Sequence, residues 1–83
     1  MWIILNNSFL SIVENIDNSE ELLVRARVKG DIERVFENAN VFEDETADYK
    51  YRAFIDRKMV QSEIGRQVNE INYSNFKIRQ LLI

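Results

Sequence analysis

Four basic side chains are spaced so that they could form one binding surface. Arg25 and Arg27 alternate within the stretch LLVRARV, and Lys50 and Arg52 alternate within DYKYR. Guanidinium and ammonium groups in such an array bind phosphates or the carboxylates of an acidic protein. The array forms only if the two stretches are neighbouring strands of one sheet.

An apolar centre accompanies these bases, because Leu23 and Phe54 share their parity. Apolar side chains inside a charged rim are typical of a protein interface. The alternative is that each base pairs with an acid across the sheet, with Glu14, Glu43 and Asp44 as candidates. Such cross-strand pairs contribute about 0.2–1 kcal/mol each. The net charge of −3 favours this second interpretation.

Acidic side chains cluster from the end of the first predicted helix through the following hairpin, at Glu37, Glu43, Asp44, Glu45 and Asp48. Such a cluster could imitate a phosphate track and capture a nucleic-acid-binding protein, although a solvated loop is the simpler interpretation. The segment lacks the glycine and the ligand spacing of a calcium-binding loop, so no metal site is predicted.

The composition excludes several kinds of chemistry. There is no cysteine and no histidine, which removes disulfides, thiolate nucleophiles, the usual structural zinc sites and proton transfer by imidazole. The two glycines lie outside any phosphate-cradling pattern, and the fourteen acids offer no preferred catalytic pair. We therefore expect no enzyme activity, no catalytic residue and no cofactor.

Length and hydropathy predict one small folded domain over residues 1–83, since 83 residues suffice for a single core. No apolar run approaches the roughly 20 residues of a membrane-spanning helix. The opening MWIIL lacks the flanks of a signal peptide, so a cytoplasmic protein without membrane contact is expected.

The elements that must position these residues follow from hydrophobic periodicity. Alternation predicts strands at 2–5, 9–13 and 22–28 and a hairpin over 41–56, with Leu22, Val24, Ala26 and Val28 on one face of the third strand. Helical spacing predicts a helix over 30–40, started by Gly30 or Asp31, and a helix over 57–71 capped by Asp56. The apolar stripe of the second helix is Val60, Ile64, Val68 and Ile71, and a last short helix is predicted within 72–83.

The predicted order is βββαββαα. Hairpin-linked strands pair antiparallel, and amphipathic helices need an apolar surface. We therefore predict an α+β fold, an antiparallel sheet of four to five strands with two main helices packed on one face. It is a two-layer sandwich loosely like ferredoxin-type folds.

The motifs MW, FxSxV, VRAR, DYxYR and YxNFK occur in this order over nearly the whole chain. In these motifs the chain resembles a small family of bacterial and phage proteins that has no established activity. The matching residues are Trp2, Phe9, Ser11, Val13, Val24, Arg25, Ala26, Arg27, Asp48, Tyr49, Tyr51, Arg52, Tyr73, Asn75, Phe76 and Lys77. The turn before Phe9 departs from the family, with Ser8 where a glycine is usual.

The resemblance implies a phage or mobile-element accessory protein, present in the host cytoplasm if phage-encoded. Together with the exclusions above, it predicts a non-enzymatic protein-binding module that inhibits or adapts a host protein, such as an anti-defence, anti-CRISPR-like inhibitor. The predicted interface is the sheet face with the four bases, Leu23 and Phe54, or the acidic hairpin with Glu43, Asp44 and Glu45.

Two alternatives remain open. A homodimer would cover the same open sheet face. A small nucleic-acid-binding module would use Arg25, Arg27, Lys50 and Arg52. The second alternative is weakened because Tyr49 and Tyr51 fall on the apolar parity, whereas a sheet that binds RNA presents aromatic rings on its exposed face.

Overall fold

The protein is described by a computed structural model covering residues 1–72 and 74. Its elements are β1 (Trp2–Ile4), β2 (Phe9–Glu14), β3 (Glu21–Ala26), α1 (Asp31–Val35), β4 (Phe42–Glu43), β5 (Tyr51–Asp56) and α2 (Arg57–Asn69). This order matches the prediction as far as α2. The last predicted helix, within 72–83, lies almost wholly outside the described residues.

The five strands form one antiparallel sheet in the order β1-β2-β3-β5-β4. The strands β3 and β5 are therefore neighbours, although α1 and β4 separate them in sequence. The α+β class and the antiparallel sheet are confirmed. The strand order itself could not be predicted from the sequence.

The core lies on one face of the sheet, which we call the inner face. Alternate strand residues point into it, and both helices close it, through Ile32 and Val35 of α1 and Val60 of α2. The buried side chains from the strands are Leu10, Ile12, Val24, Ala26, Ala53 and Ile55. The predicted placement of both helices on one face is thus confirmed.

The opposite face, which we call the outer face, carries the intervening residues of each strand. By strand register these are Trp2, Ile4, Phe9, Ser11, Val13, Glu21, Leu23, Arg25, Phe42, Arg52, Phe54 and Asp56. The predicted parity of β3 is confirmed within Glu21–Ala26, since Val24 and Ala26 are buried and Arg25 lies opposite. Arg27 and Val28 follow the strand rather than belonging to it.

The helix α1 is shorter than predicted. It ends at Val35, and Phe36 adopts φ −121° and ψ 81°, outside the helical region. The chain then turns, with the Ala39 amide donating to the Phe36 carbonyl at 3.0 Å. Asparagine is a poor helix former because its side chain competes for backbone hydrogen bonds, and it occupies positions 38 and 40. The predicted extension to Asn40 is therefore wrong.

The start of α1 uses its two candidate caps differently. Gly30 is the N-cap residue with φ 94°, a conformation that glycine adopts without strain. Because glycine has no side chain, no side-chain hydrogen bond caps the helix at this position. Asp31 is buried, and its carboxylate accepts a hydrogen bond from the Phe9 amide at 3.1 Å and pairs with Arg34. Asp31 thereby ties the helix to the start of β2.

The helix α2 begins as predicted, with Asp56 as its N-cap accepting a hydrogen bond from the Lys58 amide at 2.7 Å. Its apolar stripe is confirmed only in the first half. Val60 is buried and Ile64 packs against the core, but Val68 and Ile71 are exposed. The predicted burial of these last two side chains is wrong for the described residues.

Candidate functional site

One row of residues crosses all five strands on the outer face. The strand register pairs Trp2 with Ser11, Ser11 with Arg25, Arg25 with Arg52, and Arg52 with Phe42. The two stretches that carry the bases are therefore neighbours, as the basic surface requires. Arg25 and Arg52 stand directly opposite each other, an arrangement that destabilises a sheet unless their charges are compensated.

Arg25 is held against the sheet rather than extended into water. Its Nη2 donates to the Ser11 hydroxyl at 2.6 Å, and its Cζ lies 4.7 Å from the centre of the Tyr49 ring. Its Nε is buried without a hydrogen-bond partner among the described residues. Leaving the buried Nε unpaired costs free energy, whereas the bond to Ser11 and the contact with the Tyr49 ring stabilise the side chain in this position.

Three arginines contact Tyr49. The Cζ atom of Arg27 lies 4.8 Å from its ring centre, and Arg52 Nε donates to its backbone carbonyl at 3.0 Å. Tyr49 is 9% exposed, and the guanidinium groups of Arg25 and Arg27 lie over its ring. Cations over an aromatic face are attracted by the ring quadrupole, which stabilises the cluster. We call Arg25, Arg27, Arg52 and Tyr49 the arginine cluster.

The predicted parity of Tyr49 is wrong. The sequence placed Tyr49 on the apolar face with Tyr51, but the structure puts its ring with Arg25 and Arg27. The physical reason is that β5 begins at Tyr51, so Tyr49 precedes the regular alternation. Tyr51 does pack against the core, as predicted.

Lys50 is separate from the arginine cluster. Its Nζ forms an ion pair with Glu45 at 3.2 Å, and this hydrogen bond and charge raise the pKa of Lys50. It also lies 5.8 Å from the Tyr51 ring centre. Of the four predicted bases, Lys50 is therefore tied to the loop between β4 and β5.

The acids expected to neutralise the arginines form no ion pair with them among the described residues, although Asp44 lies near enough to Arg52 to interact with its charge. Asp44 accepts hydrogen bonds from the Thr46 amide and hydroxyl at 3.1 and 2.8 Å, and these bonds lower its pKa. The charge of Arg52 lowers the pKa of Asp44 further. Among residues 1–72 and 74, neither Glu14 nor Glu43 forms an ion pair with any of the three arginines.

Aromatic side chains flank the arginines on the outer face. Trp2 is 70% exposed, Phe54 47% and Phe42 43%, and the Phe42 and Phe54 rings stack with centroids 5.7 Å apart. Leu23 is directly paired with Phe54 and is partly buried. The predicted apolar centre is thus present, with Phe54 the more accessible of its two members.

Sequence reasoning missed four members of this face: Trp2, Ser11, Phe42 and Tyr49. Pairing β1 with β2 residue by residue would have placed Trp2 and Ser11 on the outer face, because alternate residues of a strand share a face. Phe42 lies in a strand of two residues, which is too short to show alternation. Tyr49 lies outside any element, so no periodicity could place it.

A second concave feature is a cleft of about 530 Å³ between the turn after α1, the strand β5 and the helix α2. Phe36, Asn40, Ile55, Met59 and Glu63 are among its lining residues. Its volume falls within the range of small-molecule sites. In this cleft the Arg66 guanidinium donates to Glu63 and lowers the pKa of that carboxyl.

Two further findings bear on partners. Within the described residues, no group of three or more acidic side chains is close enough together to hold a metal ion. No helix in that part of the chain is long and apolar enough to cross a membrane.

Comparison of the chain with family models, curated proteins and solved structures found no match. The resemblance to the bacterial and phage family therefore remains a prediction from the sequence motifs, of which Tyr73 and residues 75–77 lie outside the described residues.

Proposed function

We propose that the protein is a non-enzymatic protein-binding module whose interface is the outer face. The observation that carries this proposal is the exposed stacked pair Phe42 and Phe54 beside the opposed pair Arg25 and Arg52. Aromatic and arginine side chains dominate the energetics of protein interfaces, where a partner removes them from water.

The apolar part of the face supports binding. Burial of apolar area contributes about 25 cal/mol per Å², and a large part of this contribution is unused in the free chain, where Trp2 is 70% and Phe54 47% exposed. A partner that covers both rings gains this free energy without reorganising the sheet. The rigid strand backbone also keeps the entropic cost of binding low.

The charged part of the face favours an acidic group on the partner. Arg25 and Arg52 are opposed like charges, and no described acid forms an ion pair with either. A carboxylate supplied across the interface would offset their repulsion and fix the orientation of the partner.

The class of the partner rests on the sequence motifs alone. Their resemblance supports a host protein that this chain inhibits or adapts, as an accessory protein of a phage or mobile element. The genes that flank this one test the assignment, because phage or defence-system neighbours are expected. Neighbours of purely metabolic function would contradict it.

The interface is tested by cross-linking and capture with a pair of matched variants. Phe54→Glu and Met59→Glu each place one carboxylate at an exposed apolar position, the first on the outer face and the second on α2. We expect wild type and Met59→Glu to capture the same protein and Phe54→Glu to lose it. Capture of that protein by all three chains would show that the outer face is not the interface.

A second candidate function is single-stranded nucleic-acid binding, favoured by one observation. The rings of Trp2, Phe42 and Phe54 lie exposed beside arginines on a sheet face, which is how such sheets stack bases. The Tyr49 ring is covered by Arg25 and Arg27 and does not contribute.

This candidate is tested by gel shift with mixed-sequence single-stranded DNA and RNA. Binding through phosphate contacts weakens steeply with salt. Complexes at low salt that disappear in Arg52→Ala and at physiological salt would support it. No complex at low salt would eliminate it.

A further inference from the structure

The charges of the outer face are arranged in two rows on either side of an apolar row. The strand register pairs Glu21 with Asp56 at one end, Leu23 with Phe54 in the middle, and Arg25 with Arg52 at the other end. In each charged row, two side chains of the same charge lie opposite each other on neighbouring strands, which is unfavourable within one chain.

These rows cannot neutralise each other within the chain. Glu21 and Arg25 are four residues apart on one extended strand, a separation of about 13 Å. Among the described residues, none of the four charged side chains in the two rows forms an ion pair. Glu21 accepts from Asn15, and Asp56 caps α2.

A two-fold rotation brings the opposite rows together. Suppose that two copies pack outer face to outer face, with the two-fold axis parallel to the Leu23–Phe54 row. Each strand then lies against the same strand of the second copy and runs in the opposite direction. Arg25 then faces Glu21 of the second copy, and Arg52 faces Asp56 of the second copy. Each of these pairs occurs twice, as an isologous interface requires.

We propose that the outer face binds a second copy of this chain through this two-fold arrangement. The inference rests on the proposed function in one respect, the use of the outer face as a protein interface, and it assigns a second copy of the chain to that face in place of a host protein. Phe54 and Leu23 would meet their own symmetry mates on the axis. The charge rows would fix the direction of the strands, since a parallel arrangement would place Arg25 against Arg25.

The size of the face predicts a dimer that dissociates on dilution. Five strands at a spacing of about 4.8 Å span about 19 Å, and six residues extend about 17 Å along a strand. A face of this size is small beside the standard interface of about 800 Å² per partner. Sedimentation velocity should therefore cover concentrations from hundreds of micromolar down to low micromolar, and the average mass of the wild type should rise with concentration.

The decisive experiment reverses one charge in each of two variants and then mixes the variants. Arg25→Glu makes both ends of β3 acidic, and Glu21→Arg makes both ends basic. Each variant alone should lose the concentration-dependent rise in mass, and an equimolar mixture of the two should recover it. Lys58→Glu and Glu33→Arg are matched charge reversals at exposed positions on the helices, and each should dimerise like the wild type.

Arg25 contacts Ser11 and Tyr49, so its variant must first be shown to be folded by circular dichroism. If it is unfolded, Phe54→Glu replaces it, because two carboxylates on the two-fold axis repel each other and should abolish the dimer. A wild type that stays monomeric at hundreds of micromolar overturns the inference. So does a mixture of two folded, monomeric variants that fails to associate.

The two proposals fail separately. A monomeric wild type whose captured protein is lost in Phe54→Glu would overturn the dimer and leave the outer face as an interface for another protein. A monomeric wild type that captures nothing through this face would remove both proposals. Loss of dimer with gain of a salt-sensitive nucleic-acid complex would favour the second candidate function.

Discussion

The inner and outer faces of the sheet are built from the same strands, yet they differ in what covers them. The inner face is closed by α1 and α2, and its side chains are almost fully buried. In the described part of the chain, the outer face has no such layer, and it leaves most of Trp2 and about half of Phe54 exposed to water. The inner face therefore forms the core, and the outer face carries the exposed rings on which the proposed interface depends. This separation predicts that substitutions on the two faces have different consequences.

The largest difference should come from two leucines on opposite faces. Leu10→Ala removes a side chain that is 0% exposed on the inner face and should lower the free energy of unfolding by about 2–5 kcal/mol. Leu23→Ala on the outer face should cost about 1 kcal/mol, because Leu23 is only partly buried. Urea denaturation followed by circular dichroism measures both values. Equal losses would mean that the two faces are equally buried in solution.

A smaller loss is expected at the polar link between α1 and the sheet. Asp31→Ala leaves the Phe9 amide without its acceptor and should lower the free energy of unfolding by about 2–3 kcal/mol. Glu33→Ala, at an exposed position of the same helix, is the control and should change it by less than about 0.5 kcal/mol. Thermal denaturation of the two variants side by side provides the test. Similar melting temperatures would show that the link contributes nothing.

The arginine cluster should be the most sensitive part of the outer face. Tyr49→Leu removes the ring beneath Arg25 and Arg27, and each lost cation–π contact costs about 0.5–1 kcal/mol, for a total of about 1–2 kcal/mol. Tyr49→Phe keeps the ring and should remain close to wild type. Denaturant titration distinguishes the two. A Tyr49→Phe variant as unstable as Tyr49→Leu would assign the effect to the hydroxyl instead.

The smallest effect concerns the ion pair between Arg66 and Glu63 on α2, which lines the cleft between this helix and β5. The hydrogen bond from Arg66 lowers the pKa of Glu63 below its usual value of 4.5. The pair therefore stabilises the fold above that usual value, and its contribution disappears as the pH falls through the lowered pKa of the folded state. Arg66→Gln should raise the pKa of Glu63 in an NMR titration. Glu70→Gln, which removes the other partner of Arg66, should leave it low.

The sequence predicted the parts of the fold that depend on regular spacing. Alternation separated Val24 and Ala26 from Arg25, and Asp56 was identified as the cap of α2 from its residue type and position. These features are local, because each depends on residues within one turn or one strand. The pairing of β3 with β5 is a long-range contact, and no local pattern could have predicted it.

The errors occurred where regular structure ends. Tyr49 was assigned a face by extending the alternation of β5 backwards beyond its first residue. The helix α1 was extended through Asn38, although the chain turns after Phe36. Val68 and Ile71 continue the apolar stripe of α2 in sequence, but they are exposed in the structure. The candidate site was therefore predicted through the residues of β3 and β5, whereas Trp2, Ser11 and Phe42 on the other strands and Tyr49 in the loop were missed.

The buried carboxylate of Asp31 also has a consequence for the order of folding. A helix of five residues is too short to persist alone, so α1 depends on its contacts with the sheet. One of these contacts is the bond to Phe9, which joins residues 22 apart. We therefore expect α1 to form after β2 and β3 have paired. In that case, loss of the Asp31 carboxylate should mainly accelerate unfolding and leave the folding rate nearly unchanged.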